Sequence, residues 1–209
     1  MSNKSADRRA RVAQLQREQR RAEVRRSFII VGSAAVVGVV IVAAATFAVV
    51  KAQQEKEDLA AAAADPIDGA KEYEDLSRNH VDTGVSYPQN PPVGGDHASV
   101  WMNCGAYDEP VVPDQAVHSL EHGAAWISYR PDLAASQVDT LTTLAESNDY
   151  VLLSPVEGID SAVVLTAWGV QLAVDSADDP RVATFVEKYQ QGPQTPEPGA
   201  ACTGGAGGM

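Results

Sequence analysis

A run of twenty-three residues without a charge, Phe28 to Val50, constrains this 209-residue chain more than any other feature. At a rise of about 1.5 Å per residue, a helix of that length spans roughly the 30 Å hydrocarbon core of a bilayer. The run therefore predicts one membrane-spanning helix at residues 28–50. A cleaved export signal is the alternative, because Arg25 and Arg26 precede the run as in a twin-arginine signal. The run is longer than the roughly 7–15 apolar residues of secretory signals, which favours an uncleaved anchor.

Charge is distributed unequally on the two sides of this run. Residues 1–26 contain nine Lys or Arg and three acidic residues, whereas residues 51–209 contain seven and twenty-five, in a chain of net charge -12. Basic residues stay on the cytoplasmic side of a membrane span. The sequence thus predicts a single-pass protein of the cell membrane, with a cytoplasmic tail at residues 1–27 and an extracytoplasmic carboxyl-terminal part. A part this acidic repels phosphate backbones, so we expect no nucleic-acid partner.

The sequence after the apolar run has room for one domain of ordinary size. Residues 51–70 are rich in Ala and charged residues and form a predicted linker, in which the helix continues until Pro66 and Gly69 end it. The folded domain is predicted at residues 71–202. The tip, residues 203–209, has too little apolar surface to offset the entropy of ordering and is predicted to be disordered.

Segments rich in β-branched and aromatic residues alternate with helical patterns in this domain. Strands are predicted at residues 124–129, 150–155 and 162–174, the last bent at Gly169, and helices at residues 132–147 and 180–190. Residues 79–113 are dense in Pro, Gly, Asn and Asp and predict an ordered loop region. The predicted fold class is α+β: one transmembrane helix is followed by a small exported domain, in which two helices pack on one face of a mostly antiparallel sheet.

Only two cysteines occur, Cys104 and Cys202. An exported domain experiences an oxidising compartment, in which such a pair persists as a disulfide. The sequence favours this bridge, which would tie the Gly-rich carboxyl end to the centre of the domain. A free Cys104 acting as a metal ligand is the alternative.

The four histidines are clustered in the sequence. They lie within one window of 43 residues that also contains Met102 and Cys104: His80, His97, His118 and His122. A set of imidazole, thioether and thiolate groups outside a membrane suits copper better than magnesium or calcium, so copper is the predicted ion and zinc is less favoured. The alternative is structural, because segments rich in His, Tyr, Asn and Asp form buried hydrogen-bond networks that hold irregular loops.

The tightest element of this window is VHSLEHG, residues 117–123, in which His118 and His122 are four residues apart. That spacing places two side chains on one side of either a helix or a strand. The same residues match the H-x-x-E-H pattern of zinc peptidases, in which Glu121 would act as the base. That pattern needs a long helix, whereas Gly123 and a predicted strand follow at once. The sequence therefore disfavours a peptidase.

From His80 onward the chain contains HVDTGVSYPQNPPVGGDHASVW, GAYDEPV, VHSLEHGAAWISYRP, LTAWG and a late Pro196-Glu197 pair. In these motifs, over about residues 79–198, it resembles the bacterial family catalogued as domain of unknown function 3105. The resemblance implies an exported domain behind an anchor or signal, with no assigned activity. It also implies one polar site, because the recurring polar residues of the family fall on Tyr87, Asn90, His97, His118, Glu121 and His122. Met102 and Cys104 fall at positions where, as the resemblance implies, the residue varies within the family.

Three functions are compatible with the sequence. The leading hypothesis is a membrane-anchored domain that binds or hands over a metal, preferably copper, through His97, His118 and His122 with Met102 or Glu121. His80, Tyr87 and Asn90 are further candidates for this site, although His80 could simply cap a turn beside Asp82. The second hypothesis is a non-enzymatic interaction or assembly module of the cell envelope, with structural histidines and a protein partner. The third is a metal-dependent hydrolase with Glu121 as base.

Overall fold

The computed structural model describes residues 3–82 and 84–207. Helix α1 (Asn3–Ala64) opens the chain. Within this helix, the side chains of residues 3–10, 12–14, 22, 27–37 and 39 are not among those described. The chain divides into two compact units, residues 1–56 and residues 57–209. All of the predicted site residues belong to the second unit.

Helix α1 covers the predicted membrane span and most of the predicted linker. It ends at Ala64, two residues before Pro66, as the sequence predicts, because proline lacks an amide N–H and cannot continue a helix. Within the predicted span, the structure does not describe the side chains of residues 28–37 and 39. Over the described residues, no helix combines the length and the hydropathy that crossing a bilayer requires. The membrane span stays a prediction from the sequence.

The second unit is built on a six-stranded sheet. In spatial order its strands are β1 (Lys71–Glu72), β8 (Val170–Val174), β7 (Val163–Ala167), β5 (Ala125–Tyr129), β6 (Val151–Pro155) and β4 (Gly105–Ala106). The pairs β1/β8, β8/β7 and β7/β5 are antiparallel, whereas β5/β6 and β6/β4 are parallel. Two further strands, β2 (His80–Val81) and β3 (His97–Ala98), form a separate parallel pair. The predicted α+β class and mostly antiparallel sheet are confirmed.

Residues 162–174, predicted as one bent strand, form a hairpin instead. Strand β7 ends at Ala167 and β8 begins at Val170, so Trp168 and Gly169 make a two-residue turn. Gly169 has a φ of 70°, and a Cβ added there would lie 2.9 Å from the carbonyl oxygen of Tyr73. Tight hairpin turns favour glycine because they need a positive φ. The glycine therefore reverses the chain rather than bending it.

Three helices cover both faces of the sheet: α2 (Pro113–Glu121), α3 (Ala135–Glu146) and α4 (Pro180–Tyr189). Successive residues of a strand point to opposite faces. Ile127 of β5 packs in the main core with Leu141 of α3 and Phe185 of α4, whereas the adjacent Trp126 packs with Leu120 of α2. Helix α2 therefore lies on the opposite face from α3 and α4. The two predicted helices, α3 and α4, do pack on one face of the sheet, but the sequence did not predict α2 on the other face.

A disulfide joins Cys104 to Cys202, whose Cα atoms are 5.3 Å apart, and the bridge favoured by the sequence is confirmed. It holds the carboxyl-terminal residues against the centre of the domain. The backbone N–H of Asn103 donates to Ala206 O, and that of Ala206 donates to Trp101 O. Residues 203–207 are thus held in place, in contrast to the predicted disorder, because the covalent tether and these hydrogen bonds offset the entropy of ordering. Residues 208–209 lie outside the described residues.

Candidate metal centre

Two histidines meet where β2 and β3 pair in parallel. The register places His80 opposite His97 and Val81 opposite Ala98. Side chains in register on neighbouring strands lie on the same face of the pair. The ring centroids of the two histidines are accordingly 4.9 Å apart. His97 is fully buried, whereas 48% of the His80 side chain is exposed.

Helix α2 supplies two more side chains. It begins at Pro113, a residue suited to the first helical position because the N–H that proline lacks has no partner there. His118 and Glu121 are three residues apart and therefore lie on one face of the helix. On this face, His118 Nδ1 lies 2.8 Å from the carbonyl oxygen of Ala98 in β3. The helix thus brings an imidazole and a carboxylate to the two histidines of the strand pair.

The four side chains form one compact group, which we call the His/Glu cluster: His80, His97, His118 and Glu121. One potential ligand atom from each residue lies within 4.8 Å of those of the others. The ring centroid of His118 is 4.7 Å from that of His80 and 4.8 Å from that of His97. Glu121 Oε2 lies 2.9 Å from His97 Nε2 and 3.6 Å from His80 Nε2. Such a group could hold a metal ion.

Hydrogen bonds of the buried imidazoles fix the position of the ring proton. His97 Nδ1 lies 2.8 Å from the carbonyl oxygen of Gly95, and His118 Nδ1 makes the equivalent contact with Ala98. A carbonyl oxygen only accepts, so Nδ1 of each ring carries a proton, which leaves Nε2 as the nitrogen that can bind a metal ion. Metal-binding histidines commonly donate their other N–H in this way, which orients the ring.

The Nε2 atom of His97 is buried and has no hydrogen bond within the described part of the chain, although Glu121 Oε2 is 2.9 Å away. The two atoms are close enough for a hydrogen bond but are not aligned for one. A buried imidazole nitrogen and a buried carboxylate oxygen at this separation are stabilised by a cation that both can share. A metal ion held by His97 and Glu121 would give both atoms a partner.

Burial keeps His118 neutral at physiological pH. Loss of solvent is the largest influence and lowers the pKa of His118 from 6.5 to about 4. The hydrogen bond with Ala98 acts in the opposite direction, and the neighbouring imidazoles of His122, His97 and His80 lower the pKa further. Only the neutral imidazole binds a metal ion. His118 is therefore in its metal-binding form at neutral pH.

His122 lies beside the His/Glu cluster and is the C-cap of α2. Its ring centroid is 4.5 Å from that of His118 and 4.9 Å from that of Trp101. Its Nδ1 lies 2.7 Å from the carbonyl oxygen of Ala201, and its Nε2 lies 3.7 Å from Glu197 Oε2. The four-residue spacing thus places His118 and His122 side by side. Their nitrogen atoms nevertheless contact different partners.

The two sulfur-containing residues of the predicted site, Met102 and Cys104, make structural contacts. Met102 is 6% exposed and packs in the hydrophobic cluster that also contains Val117, Leu120 and Trp126. Cys104 is bound in the disulfide. The thiolate that contributed to the prediction of copper is therefore not free.

Tyr87 and Asn90 hold the loop that leads into β3. The Tyr87 hydroxyl donates to the carbonyl oxygen of Asp96, next to His97, at 2.7 Å. Burial raises the pKa of Tyr87, so its hydroxyl stays protonated and can donate. Asn90 Nδ2 donates to the carbonyl oxygen of Glu157 at 2.8 Å. Both side chains therefore position the loop that carries His97.

Two tryptophans pack against the His/Glu cluster. The ring centroid of Trp168 lies 6.0 Å from that of His97, and the ring centroid of Trp101 lies 5.7 Å from that of His118. Sequence reasoning missed both, because they come from loop or turn positions without a periodic pattern. Both rings therefore border the imidazoles of the cluster.

The part of the chain that matches a known family includes the whole candidate site. The sequence profile of a family described as "Protein of unknown function (DUF3105)" matches residues 80–204, which is more than half of the chain and includes the whole His/Glu cluster. No curated protein and no solved structure matches the chain significantly. The chemistry of the cluster itself is therefore the main indication of function.

Proposed function

We propose that this chain, which belongs to the DUF3105 family of proteins of unknown function, binds a divalent transition-metal ion through the His/Glu cluster. One observation carries the proposal: His97 Nε2 and Glu121 Oε2 are buried 2.9 Å apart, and His97 Nε2 has no hydrogen bond among the described residues. An unsatisfied buried polar atom costs about 1–3 kcal/mol. A metal ion bonded to both atoms would remove this cost, and His80 and His118 would complete its coordination.

The ligand chemistry limits the kind of ion. Three imidazoles and one carboxylate suit zinc, copper and nickel, whereas magnesium and calcium prefer oxygen ligands. Because Cys104 is in a disulfide, the thiolate argument for copper no longer applies. Copper(II) stays the proposed ion for another reason: nitrogen and oxygen sites hold it more tightly than other divalent first-row ions. Zinc, which tetrahedral sites of this composition also accept, is its competitor.

The proposed role is to hold or hand over the ion rather than to catalyse. In the peptidase arrangement the glutamate stands outside the ligand set and acts as a base. Here Glu121 lies among the imidazoles, in the position of a ligand. Occupation of four positions by protein side chains leaves no open position of the kind that catalytic zinc sites keep.

An extracytoplasmic location of the domain forms part of the proposal. The disulfide supports it, because such bridges persist in oxidising compartments and are rare in the cytosol. Anchoring by residues 28–50 is proposed on the sequence alone.

A structural role of the histidines is the second candidate function, in a module that binds another protein of the cell envelope. It is favoured by the hydrogen bonds from Nδ1 of His97, His118 and His122 to the backbone carbonyls of Gly95, Ala98 and Ala201, respectively. These bonds hold two segments, residues 95–98 and the chain around Ala201, without any ion. This candidate leaves the buried His97 Nε2 without a hydrogen bond among the described residues.

The experiment that separates the two candidates compares the full-length protein with two variants. His118→Asn keeps an N–H near the position of Nδ1 but removes Nε2, so the hydrogen bond to Ala98 can persist while a ligand is lost. His122→Ala is the matched control, because it removes the histidine that lies outside the His/Glu cluster. Each protein is loaded with copper or zinc, desalted and analysed for metal by mass spectrometry, and its fold is checked by circular dichroism.

The proposal predicts about one ion per chain in the wild type and in His122→Ala, and loss of the ion from a folded His118→Asn. A wild type without metal, or three proteins with equal metal, would favour the structural role. Retention of zinc after copper and zinc are offered together would overturn the assignment of copper.

A further inference from the structure

His80 differs from the rest of the His/Glu cluster in its exposure. Its side chain is 48% exposed, whereas His97, His118 and Glu121 are each less than 5% exposed. The cluster thus has three buried members and one member at the surface. His80 is therefore the member of the cluster that a molecule in solution can reach.

His80 is also held by fewer contacts than the other two imidazoles. Nδ1 of His97 and Nδ1 of His118 are each anchored to a backbone carbonyl, and no such bond of His80 is found within residues 3–82 and 84–207. The His80 ring stacks on that of His118 at an interplanar angle of 28°. Its backbone belongs to β2, a strand of only two residues. Segments with few buried contacts open at a low free-energy cost.

We propose that His80 is the exchangeable ligand of the site, at which an external nitrogen donor such as an imidazole replaces it during metal transfer. This inference rests on the proposed function and specifies how the ion is exchanged. One metal–nitrogen bond, to His80, breaks as another forms to the incoming donor, and the oxidation state of the ion is unchanged. The three buried ligands keep the ion in place while this exchange occurs.

A cavity variant tests the inference. His80→Gly removes the imidazole from an exposed position and leaves space for free imidazole, while the buried ligands are untouched. The full-length wild type, His80→Gly and His118→Asn are loaded with cobalt(II), whose visible absorption reports its coordination. Release of the ion to excess EDTA is followed by stopped flow, with and without added imidazole. Circular dichroism verifies that each variant is folded.

We expect His80→Gly to bind one ion per chain. It should release the ion at least about tenfold faster than the wild type, because loss of even an outer-shell partner lowers metal affinity by roughly that factor. Free imidazole should restore a wild-type cobalt spectrum in His80→Gly and slow the release, without changing the wild-type spectrum. His118→Asn should bind no cobalt at any imidazole concentration.

Three outcomes overturn the inference while the proposed function stands: His80→Gly releases the ion at the wild-type rate, it loses the ion as completely as His118→Asn, or imidazole leaves its spectrum unchanged. A wild type that binds no cobalt, copper or zinc is a different result. It overturns the proposed function, and the role of His80 with it.

Discussion

His97 Nε2 and Glu121 Oε2 are 2.9 Å apart inside the domain, although one residue lies on strand β3 and the other on helix α2. The loop region and the helix therefore meet at a buried pair of atoms that a shared cation would stabilise. A bound ion would tie the two segments together. We therefore expect metal affinity to depend on this contact.

Glu121→Gln should weaken metal binding without destabilising the metal-free domain. The glutamine amide can donate to the lone pair on His97 Nε2, so the unsatisfied nitrogen gains a partner while the negative charge that favours a cation is lost. We expect copper or zinc affinity to fall by at least about 10-fold, the lower end for loss of an outer-shell partner. Isothermal titration measures the affinity, and thermal unfolding in EDTA measures the stability.

Glu187→Gln is the control for this variant, because Glu187 is exposed on α4 and its replacement removes the same charge. Equal loss of affinity in both variants would mean that net charge governs binding. A large loss of stability for Glu121→Gln in EDTA would mean that the carboxylate itself stabilises the metal-free fold.

Metal should stabilise the folded state, because the unfolded chain does not hold the four ligands together. Binding to the native state alone adds about 2.7 kcal/mol to the free energy of unfolding at a free metal concentration 100 times the dissociation constant. The midpoint of thermal unfolding should therefore rise with metal concentration and return to its original value on addition of EDTA. A midpoint that does not respond in the wild type, or responds equally in His118→Asn, would contradict this expectation.

The sheet could be predicted from the sequence, but the separation of β7 from β8 could not. Apolar, β-branched residues on both sides of Gly169 support one strand as well as two. The reversal depends on the positive φ of that glycine and on its close approach to Tyr73, which is a tertiary contact. Helix α2 was missed for a related reason, since polar residues such as His118, Ser119 and Glu121 are buried on it and conceal its apolar pattern.

The site could be predicted as a region but not as a set of ligands. Spacing placed His118 and His122 next to each other, yet Glu121 and not His122 belongs to the group of converging ligand atoms. His80 joins the group through pairing of two-residue strands, for which local sequence carries no periodic signal. The proximity of chemically suitable residues along the chain indicated the site, and tertiary packing decided which of them meet.

The stability of the metal-free domain should decrease as the pH falls through the acidic range. The pKa of His118 is about 4 in the folded domain and 6.5 when unperturbed. Since the folded value is the lower one, the unfolded chain takes up this proton first. The stability contributed by neutral His118 is therefore fully present above about pH 6.5 and is lost progressively as the pH falls towards 4. Urea unfolding in EDTA at pH 7.5 and at pH 5.0 measures the difference.

His118→Asn provides the comparison for this pH dependence, because asparagine does not titrate in that range. Its free energy of unfolding should change less than that of the wild type between the two pH values. Identical changes in the two proteins would assign the pH dependence to other groups.

Removal of the disulfide should destabilise the domain substantially. The bridge spans a sequence separation of 98 residues, and a loop of that size is expected to contribute about 2–5 kcal/mol to the free energy of unfolding. Cys104→Ala/Cys202→Ala should lower the stability by that amount in urea unfolding. Reductant should lower the stability of the wild type in the same way and leave the double variant unchanged. Should the wild type resist reductant while the double variant is destabilised, loss of packing by the two side chains would be responsible.

Gly123→Ala should destabilise the domain at the point where α2 ends. Gly123 has a φ of 96°, and a Cβ added there would clash with the Gln191 side chain and lie 3.0 Å from Thr195 Cγ2. A left-handed backbone costs a non-glycine residue roughly 1–2 kcal/mol, and the clash adds to it. Gly84→Ala is the matched control, since no atom lies within 4 Å of its added Cβ and its φ is not in the left-handed region. Urea unfolding should therefore separate the two variants, and equal stabilities would refute the role given to Gly123. Because the added Cβ would meet Gln191 and Thr195 and no member of the His/Glu cluster, the folded fraction of Gly123→Ala should still bind one ion.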